Sequence, residues 1–363
     1  ADNVASSSVV MMPGEPLAGQ DKYLGGALGP DGLVYGIPGS VRKVLKVVPS
    51  TGEVTYFGPD LPGKFKWLRG ITANDGCIYG IPANADKVLK INPAAGTVET
   101  IGDAMPGAWK WHGGVLAPDG NIYGIPCNAD AVLKIEVATG EVATIGKGCV
   151  PPGKNKWYGG LLGRNGAVYG IPNNADRVIK IVPTTGEVTT IGPSLGEGGW
   201  KWHGGVVAAD GTIVGIPAHR DCVLKIVPET DEVKPFGGPL GVGHYHREPK
   251  YLYGGGVASS DAVYALPSDA DRVLRIVPAT EEAVLVGVSL NAGDSLAEAP
   301  SLWQDKWQNG YLARDGAIYG IPVNGSGVLK IVPSARASDV VVSVLGSLSG
   351  TKQWEGGVVA ADG

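Results

Sequence analysis

A unit of about 45 residues recurs along almost the whole chain, and this repetition limits the possible folds more than any other feature. The unit that starts at Trp111 reads WHGGVLAPDGNIYGIPCNADAVLKIEVATGEVATIG, and the one that starts at Trp157 reads WYGGLLGRNGAVYGIPNNADRVIKIVPTTGEVTTIG. Seven units share an Ile-Pro or Leu-Pro pair at a fixed distance from the start of the unit. Their prolines are Pro38, Pro82, Pro126, Pro172, Pro217, Pro267 and Pro322. Repeats of this length indicate a solenoid, a propeller or another array.

Each unit contains four short segments of strand character, which we call a, b, c and d. Segment a is of the GGVLA type and is followed by a hairpin pair such as Asp119-Gly120. Segment b, IYGIP, ends at its proline, which cannot donate to a ladder. A polar Asn-Ala-Asp turn, segment c (VLKI), a Thr-Gly turn and segment d (EVTTIG) complete the unit, and no helical periodicity is present. Four antiparallel strands per repeat predict an all-β fold, a β-propeller of four-stranded blades.

The two ends of the chain each resemble a fragment of the unit. We predict one propeller domain over residues 1–363, with repeats near 23–66, 67–110, 111–156, 157–201, 202–251, 252–306 and 307–353. Residues 354–363 repeat segment a, and residues 7–14 read as a stray outer strand d. The fold is therefore either seven blades with two tails, or an eighth blade built from both ends without strands b and c. The matching ends favour the eighth blade.

Most of the repetition is expected to encode architecture. The Gly-Gly pair of segment a suits the crowded axis, and the recurring tryptophan suits packing between blades. A lysine precedes this aromatic residue in six units, and we expect it to extend over the ring towards solvent. The aspartates of the b–c turns (Asp86, Asp130, Asp176, Asp221 and Asp271) should cap turns or pair with the cations of strand c.

Composition excludes several classes of partner. The net charge of −5 argues against nucleic acid, and no apolar run approaches the roughly 18 residues of a membrane helix. Four cysteines without CxxC spacing predict neither a disulfide scaffold nor a zinc site. No cofactor motif is present. The chain begins at Ala1, which fits a secreted or organellar protein whose leader is removed, or an excised domain; the compartment stays open.

Function is expected where the repeat varies, on the face that carries the d–a and b–c loops. The residue after the unit's first residue changes from blade to blade and should lie at the mouth of the central channel. The predicted ligand-binding residues at these mouth positions are His112, Tyr158, His203, Tyr253, Gln308 and Glu355. His219, from a b–c turn, joins them, as do Tyr245 and Trp303 from the long segments Gly238–Lys250 and Val288–Lys306.

The order of aromatic residue, apolar strand, Asp-Gly turn, IYGI, Ile191-Gly192 and Gly199-Trp200 resembles the lectin propeller family typified by tachylectin-2. The repeat is also similar to NHL and YVTN propellers, without their signature tetrapeptides. The phenylalanine-rich inner strand of the lectins is absent, since the chain has three phenylalanines. The lectin resemblance implies sugar binding.

Two functions follow from this pattern. The first is a non-enzymatic propeller that recognises a glycan, a small ligand or a protein on the d–a/b–c loop face. The alternative is a metal-dependent hydrolase of the lactonase type, with His112, His203 and His219 as candidate metal ligands or bases. Segment a offers small apolar residues rather than the acids that such hydrolases use, which favours the binding protein.

Overall fold

The computed structural model describes residues 9, 19–240, 251–290, 304–348, 354, 356–361 and 363. It confirms an all-β propeller of seven blades, each a sheet of four antiparallel strands in sequence order. A 3₁₀ turn, Ala337–Asp339, precedes the last strand. The described part contains no helix long and apolar enough to cross a membrane. The strands are, blade by blade, β1 (Tyr23–Leu28), β2 (Val34–Pro38), β3 (Val44–Val48), β4 (Glu53–Phe57); β5 (Trp67–Thr72), β6 (Ile78–Pro82), β7 (Val88–Asn92), β8 (Thr97–Ile101); β9 (Trp111–Leu116), β10 (Ile122–Pro126), β11 (Val132–Glu136), β12 (Glu141–Ile145); β13 (Trp157–Leu162), β14 (Val168–Pro172), β15 (Val178–Val182), β16 (Glu187–Ile191); β17 (Trp202–Val207), β18 (Ile213–Pro217), β19 (Val223–Val227), β20 (Glu232–Phe236); β21 (Tyr253–Ala258), β22 (Val263–Pro267), β23 (Val273–Val277), β24 (Glu282–Val286); β25 (Trp307–Leu312), β26 (Ile318–Pro322), β27 (Val328–Val332), β28 (Val341–Leu345).

Strand a is innermost, as predicted, and its paired glycines allow the inner strands to approach. In blade 4 the register shifts between Tyr158 and Gly160, and Gly159 between them has a φ of 68°. A Cβ on Gly160 would lie 3.0 Å from Cγ1 of Ile125 in blade 3. The first glycine thus forms a β-bulge, and the second brings the strand against the preceding blade.

The core lies between neighbouring blades, and the recurring tryptophan is part of it. Trp157 is fully buried and packs with Tyr123 and Ile125 of blade 3 and with Val168 of its own blade. Its Nε1 donates a hydrogen bond of 2.8 Å to the carbonyl of Arg177. The ring therefore buries a large apolar surface while its polar atom is satisfied.

The lysine before the tryptophan differs from expectation. Lys66, Lys110, Lys156, Lys201 and Lys306 are buried instead of extending to solvent. Each ammonium donates to backbone carbonyls, which for Lys110 are those of Ala83, Ala85 and Gly107 at 2.8–3.1 Å. A buried ammonium needs such acceptors. Lys66, Lys110 and Lys156 thus tie their own d–a loop to the b–c turn of the preceding blade, whereas Lys201 bonds carbonyls of its own d–a loop.

Lys201 tests how much a buried ammonium of this kind contributes to stability within its own d–a loop. Its side chain is 1% exposed, and its Nζ donates to the carbonyls of Gly196 and Gly198. We expect Lys201→Met to lower the free energy of unfolding by about 1–3 kcal/mol, because buried acceptors lose their donor. Urea denaturation followed by circular dichroism measures the change. Lys154→Met, at an exposed loop position, should leave the midpoint unchanged; equal midpoints for all three proteins would contradict the role of Lys201.

Two aspartates of the b–c turns, Asp176 and Asp271, accept hydrogen bonds from the d–a loop that follows in their own blade. Asp176 accepts hydrogen bonds from Ser194 Oγ and Gly196 N. The strand c cation Lys180 pairs instead with Asp231, at 2.6 Å, on the c–d turn of the next blade. For Lys180 the predicted pairing with an aspartate of the b–c turn is therefore wrong, because its side chain reaches the c–d turn of the next blade. Asp176 pairs instead with Arg177 of its own b–c turn, at 3.7 Å.

The sixth unit is offset by one residue from the predicted register. Tyr253 pairs with Pro267, as Trp157 pairs with Pro172. The a–b turn of this blade, residues 259–262, is one residue shorter than residues 163–167 of blade 4. Tyr253 therefore takes the buried place of the tryptophans, and Leu252 takes the place of the buried lysine.

Both ends of the chain reach the gap between blade 7 and blade 1. A Cβ on Gly357 would lie 3.3 Å from Cδ1 of Ile321 in blade 7, which matches Gly160 against Ile125. Val358 reaches Gly26 of blade 1. Val9, the described residue of the predicted stray outer strand, lies 3.5 Å from the Cβ position of Gly346, a glycine whose counterpart Gly146 meets Val188 of the next blade. The described residues form seven complete blades and supply no strand b or c to this eighth position.

Candidate functional site

Aromatic side chains from blades 3 to 5 meet at the mouth of the channel. His112 and Tyr158 stack with their ring centroids 4.0 Å apart and their planes at 9°. His203 stands edge-on to both, at 5.2 Å from Tyr158 and 6.4 Å from His112. These three occupy the same position in consecutive blades, so the fold brings predicted mouth residues into one cluster.

Two further aromatic residues, which were not among the predicted mouth residues, join this cluster. Trp200 lies 6.0 Å from Tyr158, and Tyr251 lies 5.2 Å from His203. Both belong to a position two residues before the unit's buried aromatic residue, which has a φ of 47–58° in every blade. The seven residues at this position are Asp21, Phe65, Trp109, Asn155, Trp200, Tyr251 and Asp305.

The preceding blade holds this position in place. The backbone N–H of Trp200 donates to Oδ1 of Asn174, and that of Asn155 donates to Oδ1 of Asn128. The asparagine of each of these b–c turns thus fixes a left-handed residue whose identity varies between blades. In the sequence, the signal for this position was a residue that varies between units although it stands at a fixed place, two residues before the buried aromatic residue.

Arg69 is a charged residue on the inner strand of blade 2. It stands at the bulge position that is glycine in blades 1, 3, 4 and 5, and its φ is 63°. A non-glycine residue in this conformation costs roughly 1–2 kcal/mol. Its Cδ and Nε lie 3.7 and 3.8 Å from the Cβ position of Gly113, so the side chain extends towards blade 3. Strained residues of this kind concentrate at functional sites.

The two mouth histidines are held neutral. Burial, the neighbouring His203 and the charge of Arg69 lower the pKa of His112 to about 3. Burial and Arg69 lower the pKa of His203 to about 4. Among the described residues, no group hydrogen-bonds to the buried Nδ1 atom of either ring. Such orphaned atoms require an explanation, and a bound ligand supplies one.

These pKa shifts predict a pH-dependent loss of stability. The unfolded histidine takes up a proton near pH 6.5 while the folded one stays neutral, so stability falls as the pH drops from about 6.5 towards 4. We expect His112→Phe, which keeps a ring against Tyr158, to remove about 1–2 kcal/mol of this loss between pH 7 and pH 4.5, after allowance for partial exposure.

Urea denaturation of both proteins at each pH measures the difference. Burial raises the pKa of Asp269 to about 6, and this carboxyl titrates in the same window with the opposite sign. Because Asp269 is present in both proteins, its contribution cancels. Parallel stability curves for the wild type and His112→Phe would exclude a neutral folded His112.

The other predicted residues lie elsewhere. His219 reaches the edge of the cluster, with its ring 5.7 Å from Tyr251. Tyr253 does not reach the mouth, because it is fully buried at the place of the tryptophans. Gln308 lines a cavity between blades 1 and 7 and not the aromatic cluster. Tyr245, Trp303 and Glu355 lie outside the described residues.

The described residues do not form a metal site. No three His, Cys, Asp or Glu side chains in that part of the chain stand close enough to share an ion. His112 and His203 are near neighbours, with ring centroids 6.4 Å apart, and the ring of His219 lies against Tyr251 at 5.7 Å. All four cysteines are free, and burial raises the pKa of Cys127 to about 12, which makes it a poor thiolate nucleophile.

Comparison with known proteins places the repeat in a family. The family described as a repeat of unknown function, DUF6923, matches residues 31–175 and again residues 70–211. The chain carries DUF6923 repeats. The two overlapping matches are what a tandem array produces, because one profile spans several blades. No curated protein matches the sequence.

Solved propellers share the fold of this DUF6923-repeat chain at low identity. Virginiamycin B lyase from Staphylococcus aureus, in a catalytically inactive form with quinupristin, is 15% identical, with 84% of this chain and 94% of that chain covered and a TM-score of 0.60. The periplasmic gluconolactonase of Pseudomonas aeruginosa is 13% identical, with 85% and 92% covered and a TM-score of 0.56. The extracellular domain of the one-component system BT4673 from B. thetaiotaomicron is 10% identical, with 85% and 40% covered and a TM-score of 0.58. At these identities the likeness establishes the fold alone.

Proposed function

We propose that this propeller binds a small ligand at the channel mouth, and that the ligand combines a ring with an anionic group such as a carboxylate. The observation that carries the proposal is Arg69, which accepts an unfavourable backbone conformation beside the aromatic cluster. A guanidinium is suited to a carboxylate because its fork of N–H donors matches the two oxygens.

The aromatic cluster supports the ring. Tyr158 and Trp200 lie at the edge-to-face distance typical of aromatic pairs; Tyr158 is buried, whereas Trp200 is half-buried and has an accessible ring. Aromatic faces pack well on the flat side of a sugar or an aromatic ring. The neutral imidazoles of His112 and His203 each retain a buried nitrogen that can bond a hydroxyl group. The glycan expected from the lectin resemblance fits this site best as an acidic sugar.

The solved propellers are compatible with binding of a small ligand at the channel mouth, but they do not establish it. The extracellular domain of the one-component system has the same fold. A propeller that binds a small ligand on one face would suit an extracellular domain of such a system. Binding of a protein partner on the same face is the wider alternative. The buried nitrogens of His112 and His203 beside Arg69 favour a small ligand.

NMR with matched probes tests the proposal: the ligand signals give the affinity, and the imidazole signals of the protein locate the site. Glucuronate and benzoate carry a ring and a carboxylate, and glucose and benzyl alcohol are their neutral counterparts. We expect at least one acid to bind with an affinity at least tenfold above that of its neutral counterpart, and to shift the imidazole resonances of His112 and His203. Equal affinity for acid and neutral probes, or shifts confined to other residues, would contradict the proposal.

An enzymatic function is the second candidate. Two solved relatives are enzymes by name, a lyase and a gluconolactonase, and the mouth holds a neutral histidine pair beside a cation. A neutral imidazole can accept a proton, although a pKa near 3 or 4 makes it a weak base at neutral pH. Metal analysis of the purified protein, together with lactone and ester turnover assays, separates the candidates. Turnover that is lost in His203→Phe would replace the binding function with the enzymatic one.

A further inference from the structure

A cavity of about 490 Å³ opens on the d–a/b–c loop face beside blade 4. Residues 151–154 line it from the d–a loop before blade 4, and residues 197–198 line it from the d–a loop before blade 5. The b–c turn of blade 4, residues 174–177, also lines it. Among the described residues, none of the aromatic side chains of the mouth cluster takes part in this lining. The volume lies within the range of about 300–1,000 Å³ that small-molecule sites have, so the cavity can hold a ligand of its own.

The two loops that border this cavity are longer than the loops before blades 2 and 3. The loops 58–67 and 102–111 have equal length, whereas 146–157 is two residues longer and 192–202 is one residue longer. Pro152 and Glu197 belong to the longer loops, and both line the cavity. Loops that vary on a constant scaffold are where binding sites are usually built. The cavity therefore lies where the repeat departs from its own pattern.

The b–c turn of blade 4 supplies an unused backbone acceptor to this lining. In four other blades, the carbonyl of the third residue after the proline of strand b accepts a hydrogen bond of 2.7–3.0 Å from the buried lysine of the next unit. These pairs are Val41 with Lys66, Ala85 with Lys110, Ala129 with Lys156 and Ala270 with Lys306. Ala175 is the equivalent residue of blade 4, but Lys201 donates to Gly196 and Gly198 instead. Within the described part of the chain, no donor reaches the carbonyl of the buried Ala175. An acceptor of this kind requires an explanation, and a bound ammonium supplies one.

Lys154 and Glu197 bring opposite charges to the cavity from its two loops. Both residues are exposed, and neither side chain forms an ion pair with another described residue. Asp176 and Arg177 of the b–c turn also line the cavity, but they pair with each other at 3.7 Å. Burial lowers the pKa of Lys201 to about 8, and the charge of Glu197 acts against this shift, which places Glu197 near the ammonium of Lys201. One cation and one anion are therefore left for a ligand.

We propose that this cavity binds a short peptide with free ends, whose ammonium lies at the carbonyl of Ala175 and at Glu197 and whose carboxylate lies at Lys154. The ligand ammonium takes the acceptor that a lysine ammonium uses in four other blades. A simple amine is a poorer ligand because Lys154 repels it, and a simple acid is a poorer ligand because Glu197 repels it. This site is separate from the channel mouth and does not depend on the ligand proposed there.

Trialanine and its two blocked forms test the proposal with the intact protein. N-acetyl-trialanine lacks the ammonium and trialanine amide lacks the carboxylate, whereas the side chains of all three peptides are the same. We expect calorimetric titration at neutral pH to show that trialanine binds at least about tenfold more tightly than either blocked form, because each blocked form loses a charge-assisted hydrogen bond. In NMR spectra of the protein, the backbone amide signals of residues 174–177 and 197–198 should shift, and the imidazole signals of His112 and His203 should not.

Two variants assign the ends of the peptide. Glu197→Gln should abolish the preference for trialanine over its N-acetyl form, and Lys154→Met should abolish the preference over the amide. Lys64→Met, at the equivalent position of the loop before blade 2, is the matched control and should bind trialanine as the wild type does. All three positions are exposed; circular dichroism establishes that the variants fold, and the comparison of peptides on the wild type stands without them. Equal affinity for trialanine and either blocked form, shifts confined to the mouth, or an unchanged preference in Glu197→Gln would each overturn the proposal.

Discussion

Replacement of Trp202 with alanine should lower the free energy of unfolding by about 3–5 kcal/mol. Trp202 is 1% exposed and packs with Tyr169 and Ile171 of blade 4 and with Leu224 of blade 5. Its Nε1 also donates to the carbonyl of Cys222, at 2.9 Å. The truncation removes a large apolar contact between two blades and leaves that carbonyl without its donor. Urea denaturation followed by circular dichroism measures the loss.

Trp200, two residues earlier in the same loop, is the matched control. It is partly exposed, and its ring contacts Tyr158 and Tyr251 of the mouth cluster. We expect Trp200→Ala to cost less than about 1 kcal/mol, as surface substitutions do, and to weaken binding of a carboxylate probe such as benzoate. If Trp200→Ala destabilised the protein as much as Trp202→Ala, it would be wrong to assign stability to the repeated position and ligand binding to the variable position.

The fold could be predicted because each blade repeats the same short-range pattern of turns and strands. Asp-Gly and Thr-Gly turns, proline at the end of strand b and alternation in strands c and d each act over a few residues, so the printed sequence contains them completely. Repetition then removes the ambiguity of any single segment. The partial units at residues 7–14 and 354–363 are predictions of the same kind, and Val9 and Gly357 are among their described residues.

The register of blade 6 could not be predicted in this way. The distance from Leu252 to Pro267 equals the spacing in the other units, but the shortened turn at residues 259–262 shifts the pairing by one residue. Counting residues along the chain does not show where inside a unit a residue has been lost, because only the cross-strand hydrogen bonds fix the register. Tyr253 was therefore assigned to the mouth although it is a core residue.

The candidate site was predicted in part for a similar reason. His112, Tyr158 and His203 were found because they share one position in consecutive units. Trp200 and Tyr251 precede a lysine or leucine that anchors the loop, and their side chains reach the same cluster only because the backbone there is left-handed. Arg69 was not among the predicted site residues because it replaces a glycine, and the glycines of the inner strand are expected to serve only packing at the axis.

Arg69→Gly should separate binding from stability. We expect its affinity for a carboxylate probe to fall at least tenfold, since a charge-assisted hydrogen bond contributes about 1.5–3 kcal/mol. The free energy of unfolding should stay level or rise by up to about 1 kcal/mol, because glycine adopts this φ without strain. Calorimetric titration with benzoate and urea denaturation measure the two quantities on the same samples.

The pKa values of the two histidines give a second measure of the loss of Arg69. The charge of Arg69 contributes to the low pKa of both His112 and His203, so the pKa of each imidazole should rise in Arg69→Gly when it is followed by NMR. Arg164→Gly, on an a–b turn at the other face, removes an equal charge and should change neither the affinity nor these pKa values. A variant of Arg69 that bound benzoate as tightly as the wild type would show that the guanidinium serves the inner strand rather than a ligand, and the site would then have to be sought among the aromatic residues alone.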